Sequence, residues 1–170
     1  MRPAHAWQAG LVLALSAAVS AAVSIPTRAA ATVIELRGVG VQVYACQSLS
    51  RGAASGGYAW RLVAPDASLR DGSGIEVGRH FAGPSWRAQD GSTVVGELLV
   101  SSPAPRPGSI PWLLLRARSH TGQGVFASVG YIARTHTQGG LAPATGCDRS
   151  HAGSEDRVPY QADYLFFPQF

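Results

Sequence analysis

From residue 32 onward the chain alternates apolar residues with polar or small ones in short runs, the period-2 signature of half-buried strands. The runs are Thr32–Leu36, Val39–Cys46, Gly57–Val63, Ile75–Phe81, Ser85–Ala88, Ser92–Ser101, Trp112–Ala117, Val125–Arg134 and Tyr160–Phe167. Gly38 and Gly40 split the first two, clusters of Gly, Pro, Asp and Ser separate the others, and no segment sustains a helical period. This spacing predicts an all-β fold: one antiparallel β-sandwich or closed, barrel-like domain of about eight to nine strands. Trp112-Leu-Leu-Leu115 and Tyr164-Leu-Phe-Phe167 are apolar at successive positions, which predicts strands covered on both faces. Trp112 and Tyr131 are accordingly assigned to the core. The stretch Gln138 to Pro159 is long for a loop and must be pinned or functional.

Asp90-Gly91 between two strand runs signals a hairpin. A two-residue type I′ loop there would set Trp86 opposite Val95 and Arg87 opposite Val94. Gly83-Pro84 reads as the preceding turn, since proline fixes φ and lacks an N–H. His80 and Trp86 then stand near each other. Either they share an open rim, or Trp86 is core, His80 caps a strand end and Asp90 simply makes the turn.

The N-terminal residues follow a different pattern. Met1-Arg2 precedes an apolar segment, Leu11 to Ile25, and then Pro26-Thr27-Arg28 and Ala29-Ala30-Ala31, the order of a secretory signal peptide. We expect cleavage near Ala31, leaving residues 32–170 as a single all-β domain. The apolar run is shorter than the roughly twenty residues that span a bilayer, so no transmembrane segment is expected after cleavage, and the destination is periplasmic or extracellular. In such a compartment Cys46 and Cys147 are most simply a disulfide. Closing a loop of that length stabilises by up to ~4.7 kcal/mol in a chain-entropy treatment. The competing reading is a reactive Cys147 thiol with His151 as its base.

Composition removes one class of partner. All 14 basic residues are arginine, set against 10 acids, and they are scattered rather than clustered. Without Arg2 and Arg28 the excess falls from +4 to +2 (14 − 2 − 10). Nucleic acid is therefore not expected as a partner.

An ordered set of short motifs carries a resemblance. It runs from Gly40-Val-Gln-Val-Tyr44 with Cys46, Trp60 and Pro65-Asp-Ala-x-Leu69, through His80-Phe-Ala-Gly-Pro84 with Trp86, Asp90-Gly-Ser92 and Ile110-Pro-Trp-Leu-Leu-Leu115. It continues with Tyr131-Ile132 and Arg134, Thr137-x-Gly-Gly140, Pro143, Gly146-Cys147, Val158-Pro-Tyr160 and Ala162-Asp-Tyr164. The chain resembles the secreted family known as domain of unknown function 3455, over nearly all of residues 32–170. The resemblance implies an exported bacterial or fungal protein and carries no activity with it. The family pattern has Asn-Thr where this chain has His136-Thr137.

No Gly-x-Ser-x-Gly elbow and no His-Glu-x-x-His helix occurs. A hydrolase would have to use His80 with Asp90 and a hydroxyl such as that of Ser92. No histidines stand at metal-ligand spacing, and neither a metal nor a cofactor is expected. The reading we favour is a non-catalytic binding or surface domain for a glycan or another small molecule. Its candidate ligand residues are His80, Trp86, Asp90, Arg134 and His136. The secreted hydrolase is the first alternative. An outer-membrane barrel, suggested by the C-terminal phenylalanine Phe170 but opposed by Pro168, is the second.

Overall fold

The computed structural model describes residues 32–49 and 57–169; the expected leader lies outside them. Eight strands run in order around a closed antiparallel barrel: β1 (Ile34–Ser48), β2 (Tyr58–Arg70), β3 (Glu76–Phe81), β4 (Ser85–Ala88), β5 (Thr93–Ser102), β6 (Trp112–Thr121), β7 (Val129–Gly139) and β8 (Glu155–Pro168). Each strand pairs with its sequence neighbours, and β8 returns to β1 from Ile34↔Phe166 to Ala45↔Glu155. Closure leaves no free sheet edge. The barrel alternative of the sequence reading is the one found.

The two expected N-terminal strands are one. Gly38 and Gly40 lie inside β1, and each is small because something packs over it. A Cβ on Gly38 would press into the Tyr164 ring, and one on Gly40 would strike the backbone of Asp66 and Ala67. The Asp90 hairpin also differs from expectation. Trp86 pairs with Val94 and Arg87 with Thr93, one position from the predicted register. Gly91 N–H donates to Ala88 O and Ala88 N–H to Ser92 O, which makes a three-residue loop with only Gly91 at positive φ (85°).

Alternation puts Leu36, Ala67, Leu69, Trp86, Val94, Leu115, Ile132, Tyr160, Tyr164 and Phe166 inside, where they fill the lumen as a core. The barrel is a single sheet, so the strands expected to be covered on both faces are not. Leu114 and Tyr131 are exposed on the outer wall, and Leu165 and Phe167 are half-exposed. The assignment of Tyr131 to the core is thereby corrected; Trp112 is only half-buried. Elsewhere the outer wall carries ion pairs, among them Arg79–Asp66 and Arg157–Asp66, both 2.6 Å, and Arg116–Glu97 at 2.8 Å.

The segment between β7 and β8 is pinned. Cys46 and Cys147 form a disulfide across 101 positions with Cα atoms 5.3 Å apart, which removes the free-thiol reading. Trp60 Nε1 donates to Thr145 O, Tyr44 Oη to Gly140 O, and Gly153 N to Cys46 O.

Replacing Gly40 by alanine is expected to destabilise by about 1–3 kcal/mol or more through overpacking. Gly72→Ala, where a Cβ meets nothing within 4 Å, should stay within about 0.5 kcal/mol. Urea unfolding of the two variants side by side checks this.

Candidate functional site

The turns β2–β3, β4–β5 and β6–β7 gather at one end of the barrel, and the remaining connections gather at the other. The five candidate residues divide between the two ends and the outer wall.

His80, Trp86 and Arg134 come together, but inside. His80 (3 % exposed) and Trp86 (1 %) are neighbours across β3 and β4, with rings stacked at 4.5 Å and 6°. Tyr164 packs edge-on against both. They cannot form an exposed rim. With Pro84, Leu113, Leu115, Arg134 and Tyr164 they line a cavity of about 20 Å³, room for one water-sized occupant. Arg134 donates through Nε and Nη2 to Pro111 O at 3.1 and 2.8 Å. Among the described residues it has no carboxylate in ion-pair contact. Tyr160 Oη lies 3.2 Å from Tyr164 Oη, and burial raises both phenols above their usual range. The sequence reading did not select these tyrosines, although Tyr160-x-Ala-x-Tyr164-x-Phe166 has the period-2 spacing of one inward face.

His80 Nδ1 is 2.9 Å from Ser85 O. Burial, with a smaller contribution from the Arg134 charge, depresses its pKa to about 3 against the opposing Ser85 hydrogen bond. The ring is therefore neutral, and Nδ1 carries the proton it donates to Ser85 O.

Asp90 is at the opposite end. It lies in the β4–β5 turn, whereas His80 and Trp86 flank the β3–β4 turn at the other end. Its Oδ1 accepts from Ser92 N and Ser92 Oγ, and its Oδ2 from Val125 N. These bonds hold its pKa below the usual carboxylate value, the Ser92 hydroxyl contributing most. Ser92 Oγ in turn accepts from Phe126 N at 3.1 Å. Asp90 and Ser92 are thus a latch that inserts Phe126 into the barrel end, against Phe166 at 4.6 Å. A His80–Asp90–Ser92 catalytic set is not assembled.

Beside the latch lies a cavity of about 340 Å³ lined by Ile34, Leu36, Val77, Ala88, Val125 and Phe126, with Asp71, Gln89 and Asp90 among them. Its size and apolar lining suit a small ligand, and barrel mouths are a recurrent place for one. Sequence reasoning found only Asp90 of this set. Val125 and Phe126 had been read as strand, whereas they form the turn ahead of β7.

His136 faces outward at a β-bulge between Thr135 and Gln138. It is the single described non-glycine residue at positive φ (47°). Its Nδ1 is 3.1 Å from Asp163 Oδ2, and its ring is tilted on Trp112 at 5.4 Å. These two rings, Pro105, Arg106, Thr137 and Gln138 line an open cleft of about 200 Å³. Arg134 and His136 therefore serve different faces of the wall.

One other grouping has a structural explanation. Asp148 caps the short 3-10 turn Arg149–His151, accepting from Ser150 N, Ser150 Oγ and His151 Nδ1 on one oxygen. Among the described residues no group of three His, Cys, Asp or Glu side chains is arranged to hold a metal.

The model of one protein family, described as Protein of unknown function (DUF3455), matches residues 26–168. The chain belongs to the DUF3455 family. No curated protein and no solved structure matches it. The family contributes no activity, so the chemistry rests on the geometry of this DUF3455 barrel alone.

The depressed pKa of His80 has a thermodynamic consequence. Its folded pKa of about 3 lies below the unfolded value near 6.5, so the unfolded chain binds more protons between these limits. This contribution to stability is full above about pH 6.5 and falls by at most about 1.4 kcal/mol per pH unit as the solution is acidified toward pH 3. His80→Gln should flatten the stability slope between pH 6.5 and 5 in urea titrations. An unchanged slope would mean that the imidazole titrates freely in the folded state.

Proposed function

We propose that the protein is exported with removal of residues 1–31 and serves as a non-catalytic binding domain. Its ligand would be a small, largely apolar molecule seated in the mouth cavity beside Asp90. The observation that carries this reading is the cavity itself: about 340 Å³, floored by Leu36, Val77 and Phe126 and latched by Asp90. Export is supported by the leader-like pattern and by the disulfide, a bond that persists in oxidising compartments. The outer wall bears Arg37, Asp66, Arg79, Glu97, Arg116 and Arg157 in ion pairs, while the lumen is packed with aromatic side chains. A lipid-embedded barrel has the inverse arrangement, so the pattern supports a barrel working in water.

The lining also narrows the ligand class. Asp71 and Asp90 are the charged groups at the cavity, and no basic side chain lines it. A cationic or hydrogen-donating head on an apolar body is thus complementary. A glycan is the weaker candidate at this cavity, because no aromatic face is exposed in its lining, Phe126 being fully buried, and Trp86 is buried elsewhere.

Octylamine, octanoate and maltose, titrated against the oxidised mature protein in a thermal-shift assay, discriminate these ligands. We expect a saturable rise with octylamine, a weaker one with octanoate and none with maltose. Val77→Phe, which fills the cavity, should abolish the response while leaving the unliganded melting temperature within a few degrees. A response that survives Val77→Phe, or no saturable response to octylamine, overturns the site. Ester hydrolysis above the uncatalysed rate would overturn the non-catalytic assignment.

A further inference from the structure

The small cavity at the other end of the barrel points to a second site, independent of the mouth cavity. We propose that the space between Trp86, Arg134 and Tyr164 binds a single halide-sized anion.

Three observations converge on it. The first is charge. Arg134 presents a permanently cationic guanidinium to the inside of a packed barrel, and no carboxylate lines the cavity. The side chain is half-buried and no carboxylate is in ion-pair contact with it, so no neighbouring acid cancels its field at the cavity. Pro111 O accepts from Nε and Nη2, leaving at least two of the five guanidinium N–H donors for another acceptor.

The second is an unpaired donor. The indole N–H of Trp86 is buried and has no partner among the described residues. The Tyr164 hydroxyl, kept protonated by burial, is already partnered by Tyr160 Oη at 3.2 Å and by the Arg134 side chain, which leaves the indole N–H as the unpaired donor. Ser85 O is engaged by His80 and Pro111 O by Arg134. His80 also lines the space and, with its proton on Nδ1, offers an acceptor at Nε2. The unpaired Trp86 N–H beside a positive charge with no carboxylate is what favours a negatively charged acceptor.

The third is size. About 20 Å³ suits one water-sized occupant better than sulfate, phosphate or a carboxylate with its carbon. A monoatomic anion meets both the charge and the volume. Chloride is the abundant species of that class outside cells, and bromide is its crystallographic equivalent.

Bromide tests the assignment directly. Crystals of the unmodified protein equilibrated with millimolar sodium bromide should show an anomalous difference peak within hydrogen-bonding reach of the Trp86 N–H and the Arg134 guanidinium. Chloride should compete it away. Trp86→Phe removes the N–H while keeping an aromatic ring and should weaken binding by about tenfold, the range for a hydrogen bond to a charged group. Arg134→Gln should abolish the peak, and Arg134→Lys should retain a weaker one. Chloride-35 line broadening in solution gives the same ranking without crystals. If Arg134→Gln does not fold, the wild-type peak and the Trp86→Phe comparison still decide. A cavity holding only water, a peak confined to molar bromide as an adventitious ion, or a peak unchanged in every variant overturns the proposal. None of these results depends on whether octylamine binds at the other mouth.

Discussion

Everything in this molecule depends on β1 closing against β8. Their pairing from Ile34↔Phe166 to Ala45↔Glu155 turns a meander with two raw edges into a wall with none. Closure is possible because the inner face of the seam is small where it must be. Gly38 gives way to the Tyr164 ring and Gly40 to the backbone of β2, while Ala67 and Ala162 keep the neighbouring positions short. The volume freed on that side is occupied from the other by Trp86, Tyr160, Tyr164 and Phe166. A lumen of eight strands is just wide enough for side chains to fill, so the large and small residues have to be apportioned around the ring.

That apportioning also separates two chemistries along the barrel axis. Toward the Asp90 end the filling is Phe126, Phe166 and Leu36, with no buried charge. Toward the Cys147 end it becomes Arg134, His80, Tyr160, Gln42 and Thr137. The polar end is the one roofed by the longest connection, which the disulfide, Trp60 and Tyr44 fasten down. The imidazole is buried at this end beside a half-buried guanidinium, and its burial is what holds His80 neutral. The apolar end has no such roof, only the hydrogen-bonded latch from Asp90 to the Val125–Phe126 turn.

Much of the architecture was legible in the chain. Period-2 alternation located every strand, Ser85–Ala88 to the residue, and an isolated cysteine pair was read as the bond it forms. The failures have physical causes. Gly38 and Gly40 looked like punctuation because sequence cannot distinguish a glycine that breaks a strand from one that makes room for a ring. Trp112–Leu115 and Tyr131 looked like core because apolar composition reports hydrophobicity, not which side of a single-walled sheet a residue faces. Of the five candidate ligand residues, three meet in space, yet His80 and Trp86 do so as a buried stack. Proximity in the hairpin was readable, whereas depth required knowing that the sheet closes.

The residues that make this chain recognisable are largely the hardware of closure. Gly40, Tyr44, Cys46, Trp60, Asp90, Ser92, Thr137, Gly140, Cys147, Tyr160 and Tyr164 all bond, pack or bridge within the wall, the latch or the roof. A family pattern built on such residues specifies a container and says little about its contents. The side chains that would meet a ligand at the open end are Ile34, Val77, Gln89 and Val125, and none of them belongs to that pattern. Val77, Gln89 and Val125 lie outside the β1–β8 seam, so substitutions at these three alter the lining without touching it, whereas Ile34 pairs with Phe166 in the seam itself. Arg134 is the exception, since it lies within the pattern and still presents unspent charge to an interior cavity.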